Sequence, residues 1–227
     1  MNAYINYPRF YVSVDCVIFG FEDSKLKVLI HKRPYAPQRG TLSLIGGFVE
    51  EGESVDQAAK RILSKFTGLD NVYMQQIATF GEVKRDKGER VISIVYYALI
   101  NVGDYNQNLS KRYKTKWIAV DKLPQLCFDH NEMVKKARQA VSNTIKSEPI
   151  GRNLLPKYFS LTLLQSLYES VLGTSMDKRN FRRSIAEKDF IKSTGQIEKS
   201  KRRGAVLYEY IAEKALDDAI AGRALNG

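Results

Sequence analysis

Long apolar runs, cysteine and a surplus of acid are what this sequence has least of. No stretch of its 227 residues approaches the roughly 18 unbroken apolar residues of a membrane-spanning helix, so no membrane partner is expected. The opening MNAYINYPRFYVSVD has neither a basic lead nor a long apolar segment, which excludes a secretory signal there. The two cysteines, Cys16 in VDCVIF and Cys127 in QLCFD, have no C-x-x-C spacing and apolar neighbours. They read as buried, reduced thiols of a cytoplasmic protein. Hydrophobic residues still make up 44% of the chain, enough for a real core.

Acid is scarce in an uneven way. Lys and Arg number 36 against 25 Asp and Glu, a net charge of +11. Residues 1–149 hold 22 basic and 16 acidic groups, residues 150–203 hold 12 and 5, and the last 24 residues carry −2. Concentrating +7 in 54 residues points to a polyanionic partner for the second half.

The first half reads as mixed strand and helix. FYVSVDCVIFGF and KVLIHKR are β-rich, and EDSK between them, with Gly20 just before it, reads as the turn of an antiparallel pair. VISIVYYALINV is β-branched and aromatic throughout, as a buried central strand would be, and KTKWIAVDKL is a further strand ending near Leu123–Pro124. DHNEMVKKARQAV then begins a helix in which Asp129 and Glu132 have capping-box spacing. His130, alone in its first turn, reads as structural or solvated. SEPIGRNLLP, with two prolines, a glycine and no period, reads as an interdomain joint.

Between these strands, GGFVEEGESVDQAAKRILSKFTGL runs from a glycine turn through an acidic loop into a helix nearly free of acid. Ser54 with Gln57 forms a capping box, and Val55, Ala58, Ala59, Ile62, Phe66 and Leu69 make an apolar face before the stop at Gly68. The order Gly46, Gly47, Glu53, Arg61, Gly68 resembles the Nudix box. In Nudix hydrolases the arginine precedes a Glu-x-x-Glu-Glu pattern that holds Mg²⁺ or Mn²⁺. Here those positions are Ile62, Lys65 and Phe66, two apolar and one cationic. The resemblance therefore implies a retained fold, Glu53 and Arg61 tying loop to helix, and no metal, cofactor or catalytic residue. Glu50 and Glu51 read as solvated surface.

The second half supplies a different chemistry. FSLTLLQSLYESVLG places Leu161, Leu164, Leu167, Tyr168, Val171 and Leu172 at helical spacing before Gly173. Asp177 then caps DKRNFRRSIAEKDF, whose Phe181 and Ile185 face a core while Lys178, Arg179, Asn180, Arg182 and Arg183 gather near its start. IKSTGQI and AVLYEYI flank a basic tip of Lys199, Lys201, Arg202 and Arg203, as in a DNA-binding wing. LLPKYFSLTLLQSLYESVLGTSMDKRNFRRSI resembles the winged helix of Nudix-related transcriptional regulators, the NrtR-type family, and the likeness spans nearly the whole chain. It implies a homodimer on a palindromic double-stranded operator, with a small molecule sensed by the Nudix-like domain. Family effectors are ADP-ribose in one branch and a pentose such as L-arabinose in another. VYMQQIATFGEVKRDKGERVISIVYYALIN is similar to the sugar branch. The former substrate cleft would lie near Lys32, Arg33, Gly46, Gly47, Glu82, Arg85 and Arg90.

The expected fold class is α+β. A Nudix-like mixed-sheet α/β/α sandwich over residues 1–148 would precede a winged helix-turn-helix over 149–213 and a helical tail over 214–227. A divergent metal-dependent diphosphate hydrolase, using Glu50, Glu51, Glu53 and acids of the 82–89 loop, is the alternative, as is general polyanion or RNA binding.

Overall fold

A computed structural model describes residues 3–105, 107–198 and 204–211. A short 3-10 turn at Ala3–Asn6 leads to β1 (Tyr11–Glu22), β2 (Lys25–Lys32), β3 (Leu42–Ser43), β4 (Ile45–Phe48) and α1 (Val55–Thr67). Then come β5 (Tyr73–Phe80), β6 (Val91–Leu99), α2 (Gln107–Tyr113), β7 (Thr115–Ala119) and α3 (His130–Thr144). The remaining elements are β8 (Phe159–Ser160), α4 (Leu161–Leu172), α5 (Lys178–Ala186), β9 (Ile191–Glu198) and β10 (Ala205–Tyr210).

The first seven strands form one mixed sheet centred on β1, in the order β3-β2-β1-β6-β5 with β4 and β7 attached. β1 runs parallel to β6 from Tyr11↔Val91 to Phe19↔Leu99. Its other edge is shared, because the first half pairs antiparallel with β4 and the second with β2. Side chains of one strand alternate between faces. Val17, Phe19 and Phe21 join a core with α3 and α4, whereas Val14, Cys16 and Ile18 join one with α1. Both faces are covered, so β1 and β6 are mostly apolar along their length, with Asp15 and Ser93 as buried polar exceptions. The sheet is the middle layer of an α/β/α sandwich.

The β1–β2 connection is a two-residue hairpin in which Asp23 and Ser24 take φ of 53° and 58°, the left-handed pair that matches strand twist. Gly20 is not part of that turn. It lies within β1, and a side chain there would meet Val102 and the Trp117 ring at under 3 Å. Both cysteines are buried and unpaired.

The expected joint is packed. Ile150, Gly151, Leu154 and Leu155 are buried. Ile150, Leu154 and Leu155 share one apolar cluster with β1, α3, α4 and the Phe181–Ile185 face of α5. In the C-terminal module α4 and α5 are joined by a short turn, and β8-β10-β9 form a small antiparallel sheet. Ser160 caps α4 through Leu163 N–H, Gly173 ends it at φ 72°, and Asp177 caps α5 through Asn180 N–H. This is a winged helix-turn-helix. Lys199, Lys201, Arg202 and Arg203 and the expected tail over 214–227 lie outside the described residues.

Candidate effector site and nucleic-acid interface

The box is a complete frame around an altered helix. Ser54 and Gln57 cap α1 reciprocally, and Gly68 closes it in the left-handed conformation at φ 76°. Arg61 donates Nε to Glu53 Oε2 at 2.9 Å and Nη2 to Glu53 Oε1 at 2.5 Å, and also reaches the Phe48 carbonyl. Its Nη1 lies 3.1 Å from Glu50 Oε1, and the Glu50 N–H donates to Glu53. One arginine thus ties β4, the acidic loop and α1 together. Arg61, then the Glu50 N–H, hold the Glu53 carboxyl at about 2.

That depression carries a sign. Glu53 contributes stability that is present above its ordinary value of 4.5 and is lost as pH falls toward about 2. In Glu53→Gln this part of the acid limb should vanish, so the thermal midpoint falls less steeply between those pH values, as calorimetry across the window would show.

The residues do not fit a Mg²⁺ or Mn²⁺ ion. Ile62 and Phe66, at two of the ligand positions, are buried in the α1 core, and Lys65 is an exposed cation. The Phe66 ring packs edge-on to His31 at 5.4 Å and against Tyr113 at 4.6 Å. Burial first, then the charges of Arg33 and His130, lower His31 to about 4 and keep it neutral. Glu53 and Glu50 are engaged by Arg61, and no group of three potential metal-ligating side chains exists among the described residues.

Beside the frame lies a polar cluster that sequence reasoning found only in part. Asp15 on β1 is buried; its Oδ2 accepts Ser93 Oγ–H at 2.5 Å, and its Oδ1 lies 3.7 Å from His130 Nε2. Arg85, from the loop between β5 and β6, has a side chain only 4% exposed. It grips Asp129 with both arms, Nε to Oδ2 at 2.9 Å and Nη2 to Oδ1 at 2.8 Å, and lies 4.0 Å from Asp15. Burial disfavours its charge, but Asp129 and then Asp15 outweigh this and raise its pKa. The Leu44 N–H donates to His130 Nδ1 at 3.1 Å, which leaves the imidazole proton on Nε2, toward Asp15. A side chain at Gly46 would strike Asp15 Oδ1, so glycine there is the space the carboxylate occupies.

The predicted cleft residues therefore divide. Gly46 and Arg85 belong to this cluster, and Gly47 packs over Ile62. Arg90 donates to the Glu82 carbonyl and stacks over Phe10, bracing the same loop. Arg33 is turned to the Pro37 carbonyl and the Phe128 ring, while Lys32 is exposed at the end of β2. Asp15, Ser93 and Asp129 are the residues the reading missed. The expected Asp129 capping box does not form, because no side-chain cap bond is made and its carboxylate is held by Arg85. Asp15 had a signal, a lone acid within an apolar strand, which needs buried partners.

On α5, Phe181 and Ile185 are buried while Lys178, Arg179, Asn180, Arg182 and Arg183 are exposed. At about 100° per residue, Arg179 and Arg183 share the face opposite the core, with Arg182 on its flank. The exposed face of the second helix of a helix-turn-helix is thus strongly basic.

Family comparisons agree with both halves. A model of the NUDIX domain matches residues 9–138, and a model of the NrtR DNA-binding winged helix domain matches residues 151–210. The chain belongs to the NrtR-type family of Nudix-related transcriptional regulators. It is 32% identical over 209 residues to the ADPR responsive transcriptional repressor NtrR of Acinetobacter baylyi, covering 90% of this chain and 84% of the relative. The crystal structure of Shewanella oneidensis NrtR complexed with a 27mer DNA superposes with a TM-score of 0.79 at 29% identity, over 88% of this chain and 93% of that one. An enzyme is also similar, the ADP-ribose pyrophosphatase of Methanocaldococcus jannaschii, at 30% identity over 56% of this chain and 75% of its own.

Proposed function

We propose that this NrtR-type regulator is a homodimeric transcriptional repressor that releases or reshapes its hold on a palindromic operator when a ribose-like ligand binds beside the box. The observation that carries this reading is the pairing of an exposed basic α5 face with a box helix whose ligand positions are Ile62, Lys65 and Phe66. The named relatives favour ADP-ribose as the effector. A free pentose such as L-arabinose is favoured by Asp15 and Asp129, whose carboxylates accept sugar hydroxyls but repel a diphosphate that has no metal to neutralise it. Both ligands share the polyol that Asp15, Arg85 and Asp129 suit.

α3 is the physical link between ligand and DNA. His130 in its first turn and Asp129 just before it lie in the polar cluster. Roughly 13 Å along α3, Arg138 donates Nε to the Val171 carbonyl at 3.2 Å and Nη2 to the Ser170 carbonyl at 3.1 Å. Ser142 also donates to Val171 O. A cation at the C-terminus of α4 is favourably placed against that helix dipole. Ligand-driven movement of α3 would therefore carry α4, and α5 with it.

Fluorescence anisotropy on a duplex from the protein's own upstream region tests the reading, with ADP-ribose and L-arabinose titrated separately. At least a tenfold change in operator affinity is expected with one ligand. No change with either, together with Mg²⁺-dependent turnover of ADP-ribose, would return the chain to the hydrolases. Arg138→Ala should leave both separate affinities within about threefold but cut the ligand's effect on DNA by on the order of fivefold.

A further inference from the structure

One acid stands where a DNA-facing helix needs cations. Glu187 is the single acidic residue between Asp177 and Asp189, a stretch that holds five Lys and Arg. It is exposed at the C-terminal end of α5, and its carboxylate has no ion pair or hydrogen bond among the described residues. Its neighbour Lys188 donates instead to the Lys146 carbonyl. The position is unfavourable twice over. The helix dipole disfavours an anion at a C-terminus, and DNA phosphates would repel it again. Neither helix stability nor phosphate binding accounts for a carboxylate here.

Its place around the helix does. Phe181 and Ile185 bury one side of α5. At about 100° per residue, Asn180, Arg183 and Glu187 fall within roughly 60° of one another on the opposite side, and all three are exposed. They form a row roughly 10 Å long at 1.5 Å per residue, a span of about three base-pair steps. Helical side chains lean toward the N-terminus, so Glu187 leans back over the turn that carries Arg183. If Arg183 enters the groove, the carboxylate enters with it.

We propose that Glu187 is a specificity-determining residue that selects a C·G pair in each operator half-site by accepting a hydrogen bond from the cytosine amino group. The inference rests on the placement of α5 against DNA in the function proposed above and adds which base the end of that helix reads. In the major groove, guanine and thymine present acceptors, which repel a carboxylate. Adenine sets an acceptor beside its donor, and a carboxylate satisfies only the donor. Cytosine offers the amino donor alone. The charge also works by rejection: wherever that cytosine is missing, an unpaired carboxylate among phosphates weakens binding.

Sequencing the duplexes that the full chain retains from a pool tests this, the pool carrying the protein's own upstream region with one half-site randomised. The wild type should prefer C·G at one position by on the order of tenfold. Glu187→Ala should cut that preference below about threefold, leave other positions within about twofold, and tighten binding to a scrambled duplex by about threefold. Glu187→Gln should turn the same position toward A·T, because an amide meets both the donor and the acceptor of adenine. Both variants should melt no lower than the wild type, since the side chain is exposed and its charge opposes the helix dipole. A wild-type profile without a C·G position, or one that Glu187→Ala leaves unchanged or flattens along the whole half-site, overturns the assignment and leaves α5 on the operator. A wild type that retains no sequence over any other overturns the operator reading as well.

Discussion

Replacing Arg179 and Arg183 together by alanine should weaken operator binding on the order of 100-fold and leave folding stability within about 0.5 kcal/mol of wild type. Both side chains are exposed, and neither has an ion pair among the described residues, so little native structure is lost with them. Binding loses much more. Each arginine carries a planar fork that grips a phosphate or reads a guanine edge, contacts worth about 1–3 kcal/mol when well formed. The dependence on salt separates these uses. If both forks meet phosphates, the slope of log affinity against log salt should shrink by about 2. If one reads a base, discrimination between operator and scrambled duplex should fall as well. Arg182→Ala, on the flank of the same helix, should cost less than Arg183→Ala. Anisotropy from 50 to 200 mM salt would measure all of this. Undiminished affinity in the double variant would remove α5 from the interface and leave the basic wing segment to carry DNA binding.

Much of the fold was legible because local chemistry and tertiary structure agree there. Ser54 with Gln57, Gly68, Gly173 and Asp177 each end a helix by bonds made within a few residues, and periodicity alone marked the buried faces of α1, α4 and α5. The hairpin was visible in EDSK for the same reason. Glu53 and Arg61 are eight residues apart, close enough for the box pattern to carry their pairing.

The polar cluster is built the other way. Arg85 and Asp129 are 44 residues apart, and Ser93 and Asp15 are 78 apart, so only the pairing of distant elements brings them together. Asp129 looked like a cap because Glu132 follows it at the right spacing, and local spacing cannot reveal that a distant guanidinium claims the carboxylate. The packing of the joint was hidden in the same way. Two prolines and a glycine describe the backbone of SEPIGRNLLP, but its Ile150, Leu154 and Leu155 are buried in a core contributed by distant parts of the chain. Arg138 had no sequence signal at all, since its partners are backbone carbonyls that any residue would offer.

Asp129→Ala should be the most destabilising single change in the site, by about 2–4 kcal/mol, and should abolish the ligand response. The cost arises from what stays behind. Arg85 would keep its charge in a nearly closed position, with Asp15 at 4.0 Å as the remaining counter-charge and both of its short bonds gone. Asp129 itself is 22% exposed, so relaxation and entering water recover part of the loss, which places the estimate below the upper end for buried pairs. Asp129→Asn retains an acceptor without the charge and should fall between. Arg85→Met should cost less than Asp129→Ala, because Asp129 can turn to solvent and Asp15 keeps its bond from Ser93. Combining Arg85→Met with Asp129→Ala removes both charges at once, and part of the stability should return. A double-mutant cycle by urea unfolding therefore expects a coupling energy of about 1–3 kcal/mol. Additive losses would mean that the two residues act separately. The 81–90 loop would then not be latched to α3 through this pair, and the route from the ligand through Arg85 and Asp129 to Arg138 would have no first step.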